Sequence, residues 1–341
     1  MGMEHMTEND SQPDTIRPDI VRPDIVRPDI VRPDLSIIIV NWNVKELLRD
    51  CLTSIQQNQE TIRLEVIVVD SASRDGSPDM VESDFPWVKL IKSNQNLGYP
   101  RGNNVGIKAS SGRNVLILNP DTVVLDDALG ILVNYLELHI DVGAVGPQLL
   151  NNDGSVQSSK RRFPSLITGL FESTWLESLA PKYVLEKYYA QDLPDDQEND
   201  VDWVTGACLI VPRHVIDHVG LFDEGYFMYS EELDWCRRIN DAGWRIVYLP
   251  QAKVVHHVGK SSEQAVTERH INFQQAKLRY FRKHHGRISA GIMRAVLLAN
   301  YSWQLALEGA KGLVGHNRNL RRQRVQAYWQ VIRSGLRPAG Y

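Results

Sequence analysis

Residues 35–42 read LSIIIVNW, residues 64–70 LEVIVVD and residues 114–121 NVLILNPD. Each is a short β-branched or aliphatic run without polar alternation, and each closes on Asn or Asp. Strands covered by helices on both faces read this way. Between the first two, Lys45 to Gln57 carries Leu47, Leu48, Cys51, Leu52 and Ile55 on one helical face. DSASRDGSPD (70–79) is turn-rich and predicts a helix starting near Ser77-Pro78. WVKLIKS (87–93) predicts a third strand, Gly102 to Ser110 a helix, and NVLILNPD a fourth strand ending at Asp121. Strands alternating with helices at this spacing predict a parallel α/β sheet. In open sheets of this kind ligands bind outside the carboxyl ends of the strands. Asn41, Asp70 and Asp121 all fall at such ends, so one sheet edge is a site hypothesis in its own right.

Outward from this core the chain changes character. Ile16 to Asp34 repeats IRPD-IVRPD-IVRPD-IVRPD. A proline in every unit removes an amide donor and restricts the residue before it, so residues 1–34 are expected to be an extended leader. Residues 151–200 look loop-rich, with the aromatic and acidic KYYAQDLPDDQEND at their end. WVTGACLIVPR (203–213) and WRIVYLP (244–250) predict strands, and EELDWCRRINDAGW (231–244) predicts a helix. Thr267 to His284 predicts a basic helix. Ile288 to Leu307 predicts an amphipathic, interfacial helix rather than a membrane span.

The chain has 341 residues, 38 Lys+Arg and 42 Asp+Glu, for a net charge of -4. From Lys277 onward 13 Lys and Arg face one acid, Glu308. An acidic body with a basic tail implies an anionic partner, phospholipid headgroups or nucleic acid. Three scattered cysteines, Cys51, Cys208 and Cys236, form no ligand pattern and suit a reducing compartment. The polar first residues, MGMEHMTEND, predict no signal peptide.

Several side chains could carry chemistry. Asp121, beside Asn119, could hold Mg²⁺ or Mn²⁺ against phosphate oxygens, since such cations take few protein ligands; a Pro-Asp acid also caps turns. Asp70 could accept from a base or a ribose hydroxyl, or serve its turn. In NQNLGYPRGNN (94–104), Gly98 and Gly102 permit close backbone approach and Arg101 could reach a diphosphate. Glu231, Glu232 and Asp234 lie within one helical turn among aromatics, where like charges and burial raise carboxyl pKa values and suit one acid to proton abstraction. Acids also favour a helix N-terminus without any catalytic task. His256 could complete a metal shell or contact a diphosphate, or simply end a strand.

Taken in order, these segments resemble the inverting glycosyltransferases of family 2, in their rhamnosyltransferase-like branch, from about Leu35 to Gly286. IIIVNWN resembles the family's first strand and VNxN turn, with Asn41 and Asn43. VVDSASRDGS resembles VVDNxSxDGS, which makes Asp70 similar to the nucleotide-base contact and Asp75 to a supporting acid. NLGYPRGNN resembles NxGFxxxNN, bringing Asn96, Gly98, Arg101 and Asn104 to the donor side. Asn119-Pro120-Asp121 is similar to the metal motif Asp-x-Asp. DWVTGACLIVPR resembles the acceptor-side WVxGAxLxxRR, with Trp203, Gly206 and Ala207. FDEGYFMYSEELDWCRR resembles FDExFFMYxEDxDLCxR, so the catalytic base falls on Glu232, flanked by Glu231 and Asp234. HHVGKSS resembles HxxGxS and puts His256 at the metal or diphosphate; RYFRKHHG resembles the helix that closes the domain. Asn119 replaces an Asp and Glu232 an Asp, and Pro100-Arg101 replaces small residues.

The resemblance implies a GT-A fold, a Rossmann-like nucleotide-binding mixed sheet flanked by helices, over residues 35–286, followed by a basic amphipathic tail, 287–341. It implies a Mg²⁺- or Mn²⁺-dependent inverting transfer from a nucleotide-sugar, dTDP-rhamnose first and UDP-sugars next, to a saccharide or lipid-linked acceptor. The tail implies peripheral attachment at the inner face of the cell membrane. A nucleotidyltransferase would leave the Glu231–Glu232–Asp234 cluster unexplained. A nucleic-acid-binding protein would rely on the basic tail, for which no recognition motif is present.

Overall fold

In the computed structural model, residues 32–58, 62–172, 174–257, 266–313 and 318–337 are described. The RPDIV leader before Arg32, and Gly259 to Ser262 of the HHVGKSS segment, lie outside them. The described residues begin at Arg32, and the Asp34 carboxylate takes hydrogen bonds from both Arg63 and Arg113.

The first apolar run is β1 (Leu35–Asn41), every residue of which is buried. It is followed by α1 (Lys45–Gln57), β2 (Leu64–Ser71), α2 (Ser77–Asp84), β3 (Lys89–Ser93), α3 (Tyr99–Lys108), β4 (Asn114–Leu118), β5 (Thr122–Val124) and α4 (Ala128–Leu138). Then come β6 (Val142–Leu150), β7 (Val156–Gln157), β8 (Lys160–Arg161), α5 (Leu166–Phe171), α6 (Lys182–Tyr188), β9 (Asn199–Val201), β10 (Trp203–Val204) and β11 (Cys208–Pro212). The chain continues through α7 (Arg213–Val219), α8 (Glu231–Asp241), β12 (Arg245–His256), α9 (Val266–Leu313) and α10 (Arg318–Ser334).

The main sheet runs β3-β2-β1-β4-β11-β6-β12-β5. Its first half is parallel, as the alternation of strands and helices predicts. The sheet as a whole is mixed, because β11 runs antiparallel between β4 and β6. Asn41 pairs with Asp70 across β1 and β2, and Ile39 with Leu118 across β1 and β4. The carboxyl ends of these strands therefore form one edge. One apolar cluster fills the α1 and α4 face of the sheet, and a second fills the α3, α8 and α9 face.

Several boundaries differ from the sequence reading. The fourth strand stops at Leu118 rather than Asp121, because Pro120 cannot donate to a ladder; Asn119-Pro120-Asp121 is a turn into β5. WVTGACLIVPR is two strands, broken at Thr205–Ala207, where Thr205 donates to the Ser159 carbonyl and β10 leaves the main sheet to pair with β8. α3 starts at Tyr99 rather than Gly102, since Pro100 is tolerated in a first helical turn. The strand after Trp244 continues past Pro250 to His256 with an irregularity between Leu249 and Lys253. The two expected C-terminal helices run on as α9, broken in dihedral angle at Gly286 (φ 86°).

α3 lies flush on β1 because glycine removes the side chain there. A Cβ at Gly106 would stand 2.3 Å from Cγ2 of Ile38, a β-branched group with no rotamer to yield. Gly106→Ala should therefore lower unfolding free energy by about 1–3 kcal/mol in urea melts, despite alanine's better helix propensity.

Candidate active site

The edge formed by β1, β2 and β4 carries two hydrogen-bonded groups. On the β1–β2 side, Asn41 Nδ2 donates to Asp70 Oδ1 at 2.9 Å and to Ser73 Oγ at 3.1 Å, and Ser73 N donates to Asp70 Oδ2 at 2.9 Å. Asn41 and Asp70 are buried, and Asn41 Oδ1 has no partner among the described residues. Asn43, with φ 53°, accepts from the Arg74 amide, while Asp75 accepts from the amides of Lys45 and Ser77. Asp70 thus faces the edge with lone pairs to spare, whereas Asp75 fixes the β2–α2 loop from an exposed position.

On the β4 side, Asp121 Oδ1 lies 3.4 Å from His256 Nε2. The two meet because β5 and β12 pair antiparallel and the His257 amide donates to the Asp121 carbonyl. His256 Nδ1 is 2.7 Å from Gln157 Oε1, and Gln157 Nε2 donates to Asn151 and to the His256 carbonyl. Gln157 Oε1 can accept a hydrogen bond from a ring proton at Nδ1, which leaves Nε2 to face Asp121 and a cation. A carboxylate and an imidazole at 3.4 Å fit adjacent positions on one cation, whose octahedral ligands stand about 3 Å apart. Among the described residues no group of three or more His, Cys, Asp and Glu could hold an ion. Two protein donors suit Mg²⁺ or Mn²⁺ completed by substrate phosphate and water.

From here a line of contacts crosses the molecule. Asn119 Nδ2 is 3.4 Å from His256 Nε2. The Tyr99 hydroxyl lies 2.8 Å from Asn119 Oδ1 and 2.7 Å from the Gly206 carbonyl, so one proton is held between two acceptors. Burial pushes the Tyr99 hydroxyl well above its ordinary range and keeps it a donor. The Gly206 amide stands 3.4 Å from Glu232 Oε1. Tyr99 was not singled out from sequence; its place in NLGYPRGNN was the available signal.

Glu231 and Glu232 open α8 after two left-handed residues, Tyr229 (φ 73°) and Ser230 (φ 60°). A bulky aromatic in that region is an outlier of the kind that gathers at functional sites. Burial pushes the Glu231 carboxyl well above the carboxylate range, and the Glu232 charge adds to it. Burial also raises Glu232, with backbone amides at Glu232 and Gly206 pulling back in part. Oε2 of each acid is buried and without a hydrogen-bond partner among the described residues.

Beside Glu232 lies a cavity of about 210 Å³, walled by Tyr188, Tyr189, Trp203, Phe273 and Tyr280 and edged by Arg161, Glu172 and Lys277. Its size is below the ~300–1,000 Å³ of whole-ligand sites, so it holds part of a ligand. Trp203 is oriented by its indole N–H to the Arg162 carbonyl, and Lys277 pairs with Glu172 at 2.6 Å.

Other expected residues are engaged by contacts within the fold. Asp234 is fully buried and takes Arg238, Lys283 and His284 on its two oxygens. Burial would raise its carboxyl, but the His284 and Lys283 hydrogen bonds and the Arg238 charge outweigh that and hold it below the usual range. It does not line the cavity. Asn104 is buried, exchanges hydrogen bonds with the Phe222 backbone and donates to the Glu224 carboxylate, locking α3 to the loop before α8. Asn96 accepts from the Gly98 amide. Gly98 (φ 72°) lies against the Phe227 carbonyl, where a Cβ would come within 2.5 Å. Arg101 is half exposed beside Glu224, and Ala207 is core, its carbonyl receiving the Asn119 amide.

Residues 33–271 match the profile of the family described as Glycosyltransferase like family 2. The N-acetylglucosaminyl-diphospho-decaprenol L-rhamnosyltransferase of Mycobacterium tuberculosis is 32% identical over 239 residues, 67% of this chain and 77% of that protein. The rhamnosyltransferase WbbL of Escherichia coli is 27% identical over 168 residues, 47% of this chain and 61% of its own. Among solved structures, the mannosyltransferase PcManGT of Pyrobaculum calidifontis, in complex with GDP-Man and Mn²⁺, aligns with a TM-score of 0.53 at 18% identity, over 89% of this chain and 86% of that one. GalNAc-T7 with UDP, GalNAc and Mn²⁺ aligns at 0.54 and 13%, over 74% and 48%. These likenesses show the GT-A fold expected from the sequence.

Two measurements test this geometry. Replacing Gln157 with Leu frees the His256 ring, and divalent-cation affinity, read by metal titration of thermal stability with nucleotide present, should fall about tenfold or more. Glu231→Gln removes a buried carboxyl whose raised folded pKa opposes ionisation. Above the unfolded carboxyl value that raised pKa costs the wild-type stability, and below it the cost vanishes. The variant should melt higher than the wild type near pH 8, with the gap closing near pH 4.

Proposed function

The chain belongs to Glycosyltransferase like family 2, in its rhamnosyltransferase-like branch, and from that premise we propose that it moves a sugar from a nucleotide-diphosphate donor to an acceptor hydroxyl by one inverting displacement. The observation that carries this reading is the run of contacts from Asp121 and His256 through Asn119, Tyr99 and Gly206 to Glu232. It ties a cation-binding pair to a poised carboxyl at the rim of an aromatic cavity.

In this reading residues 35–286 are the transferase domain and 287–341 a helical tail. The nucleoside lies against Asn41 and Asp70, whose unpartnered Asn41 Oδ1 supports a polar ligand there. Glu232 takes the proton of the acceptor hydroxyl, and the freed oxygen attacks the anomeric carbon on the face away from the departing nucleoside diphosphate. The bond to the diphosphate oxygen breaks as the new glycosidic bond forms, so configuration inverts. Mg²⁺ or Mn²⁺ at Asp121 and His256 supplies countercharge to the leaving diphosphate when bound. Trp203 and the neighbouring tyrosines offer the flat apolar surfaces on which a sugar ring stacks, and Lys277 and Arg161 bring positive charge to the same cavity. Neither nucleotidyl transfer nor nucleic-acid binding gives this acidic-aromatic cavity a task.

Rhamnose from dTDP-rhamnose is the first donor to test, with UDP-sugars next. The activities named for the Mycobacterium and Escherichia relatives support rhamnose, and the former's acceptor supports a lipid-diphosphate-linked saccharide. A screen of nucleotide-sugars for Mg²⁺- or Mn²⁺-dependent transfer or hydrolysis tests the assignment. Absence of turnover with every donor would overturn it.

Glu232→Gln should lower turnover by about 10²–10⁴-fold while nucleotide binding, read by thermal shift with dTDP, UDP or GDP, stays within about twofold. A base must be ionised to act. In the wild type, kcat/KM should therefore climb with pH through a value above the ordinary carboxylate range, because burial raises Glu232. Wild-type turnover in the Gln variant would remove Glu232 from this role.

A further inference from the structure

Beyond Gly286, α9 is apolar on two faces. Ala290, Met293, Leu297 and Tyr301 are buried in the second core cluster. A second stripe faces solvent: Ile288 is 81% exposed, Ile292 47% and Trp303 59%, with exposed Ala295 and Ala299 between them. At about 100° per residue these five positions fall within roughly 80° of the helix circumference. Exposed Ala306 and Ala310 extend the same line. Scattered exposed hydrophobics are ordinary, but a continuous stripe with isoleucines at one end and a tryptophan along it is a contact surface.

Directly beside the stripe is a groove of about 390 Å³, lined by Arg282, Arg287, Gly291, Arg294, Ala295 and Leu298, with no acid in its wall. Ala295 belongs to both features, so the guanidinium groups border the apolar stripe. Between Arg287 and Arg337 nine Lys and Arg face one acid, Glu308. That acid is buried and bound by Arg321.

We propose that the exposed stripe of α9 and its arginine groove form a docking surface for an anionic lipid bilayer. The apolar side chains enter the headgroup–acyl boundary, and the arginines bind lipid phosphates. The charge decides between occupants. Two copies meeting through this face would bring two arginine grooves together, whereas a bilayer presents phosphate and hydrocarbon side by side. Trp303 suits the same boundary. Among the described residues no helix is long and apolar enough to cross a membrane, so the helix lies in the interface plane. Phe273, Lys277, Tyr280 and Phe281 wall the cavity from the earlier turns of this helix. One element thus meets the lipid and bounds the cavity. The docking surface stands independently of the transfer reaction.

The test is flotation of the full chain with vesicles of phosphatidylcholine, alone or with about 30% phosphatidylglycerol. The wild type should bind the anionic vesicles only, and release as salt rises toward ~0.5 M. Ile288→Glu with Ile292→Glu, both exposed positions, should weaken binding about tenfold or more. Arg287→Glu should weaken it about fivefold. Circular dichroism and the nucleotide thermal shift should match wild type in both variants. Failure of the wild type to bind anionic vesicles, or variants that bind as well as wild type, would overturn the proposal. So would a dimer in vesicle-free sedimentation equilibrium that the double isoleucine variant dissolves, since the face would then be an interface between copies.

Discussion

The Tyr99 hydroxyl joins the start of α3 to the turn after β4 and to the bend before β11. It holds the Asn119 side chain at the end of β4 and the Gly206 carbonyl in the bend between β10 and β11. The Asn119 amide in turn donates to the Ala207 carbonyl, so the turn after β4 and the bend before β11 are tied twice. A buried hydroxyl with one proton and two acceptors costs stability unless both acceptors stay close. That constraint keeps Asp121 and His256 on one side, and Glu232 on the other, in register across a mixed sheet.

The start of α8 shows how environment divides one turn of like residues into different tasks. Glu231 is buried and Glu232 half-buried, and burial raises both carboxyls although the Arg161 charge pulls Glu232 back in part. Asp234 lies two residues after Glu232, about 200° around the helix from it, where Arg238, Lys283 and His284 enclose it and its carboxyl is lowered. Ionising the first pair costs stability, because burial opposes their charge. Asp234 fastens α8 to α9, and with it the aromatic wall of the cavity.

α9 links the two ends of the functional argument. Its first turns carry Phe273 and Lys277 into the cavity, and the left-handed Gly286 redirects the chain so that its later turns pack on α10 and expose a second apolar stripe. The basic tail legible in the composition is thus a folded pair of helices, with one face committed to the core and one left exposed.

The sequence by itself determined the strands and the edge. Uninterrupted β-branched runs can only be strands covered on both sides, and the Asn or Asp that closes each one marks a carboxyl end, so Asn41 and Asp70 were legible at once. The order of motifs sufficed for the family. What it could not decide depends on contacts between residues far apart in the chain. That β11 inserts antiparallel, that Gln157 meets the His256 ring, and that Tyr99 bridges Asn119 to Gly206 are facts of pairing across some 20 to 110 positions. Asn104 and Asp234 resembled site residues because a polar side chain in a motif has the same letter whether it faces a ligand or a buried partner. Only the folded chain, by supplying or withholding that partner, distinguishes the two.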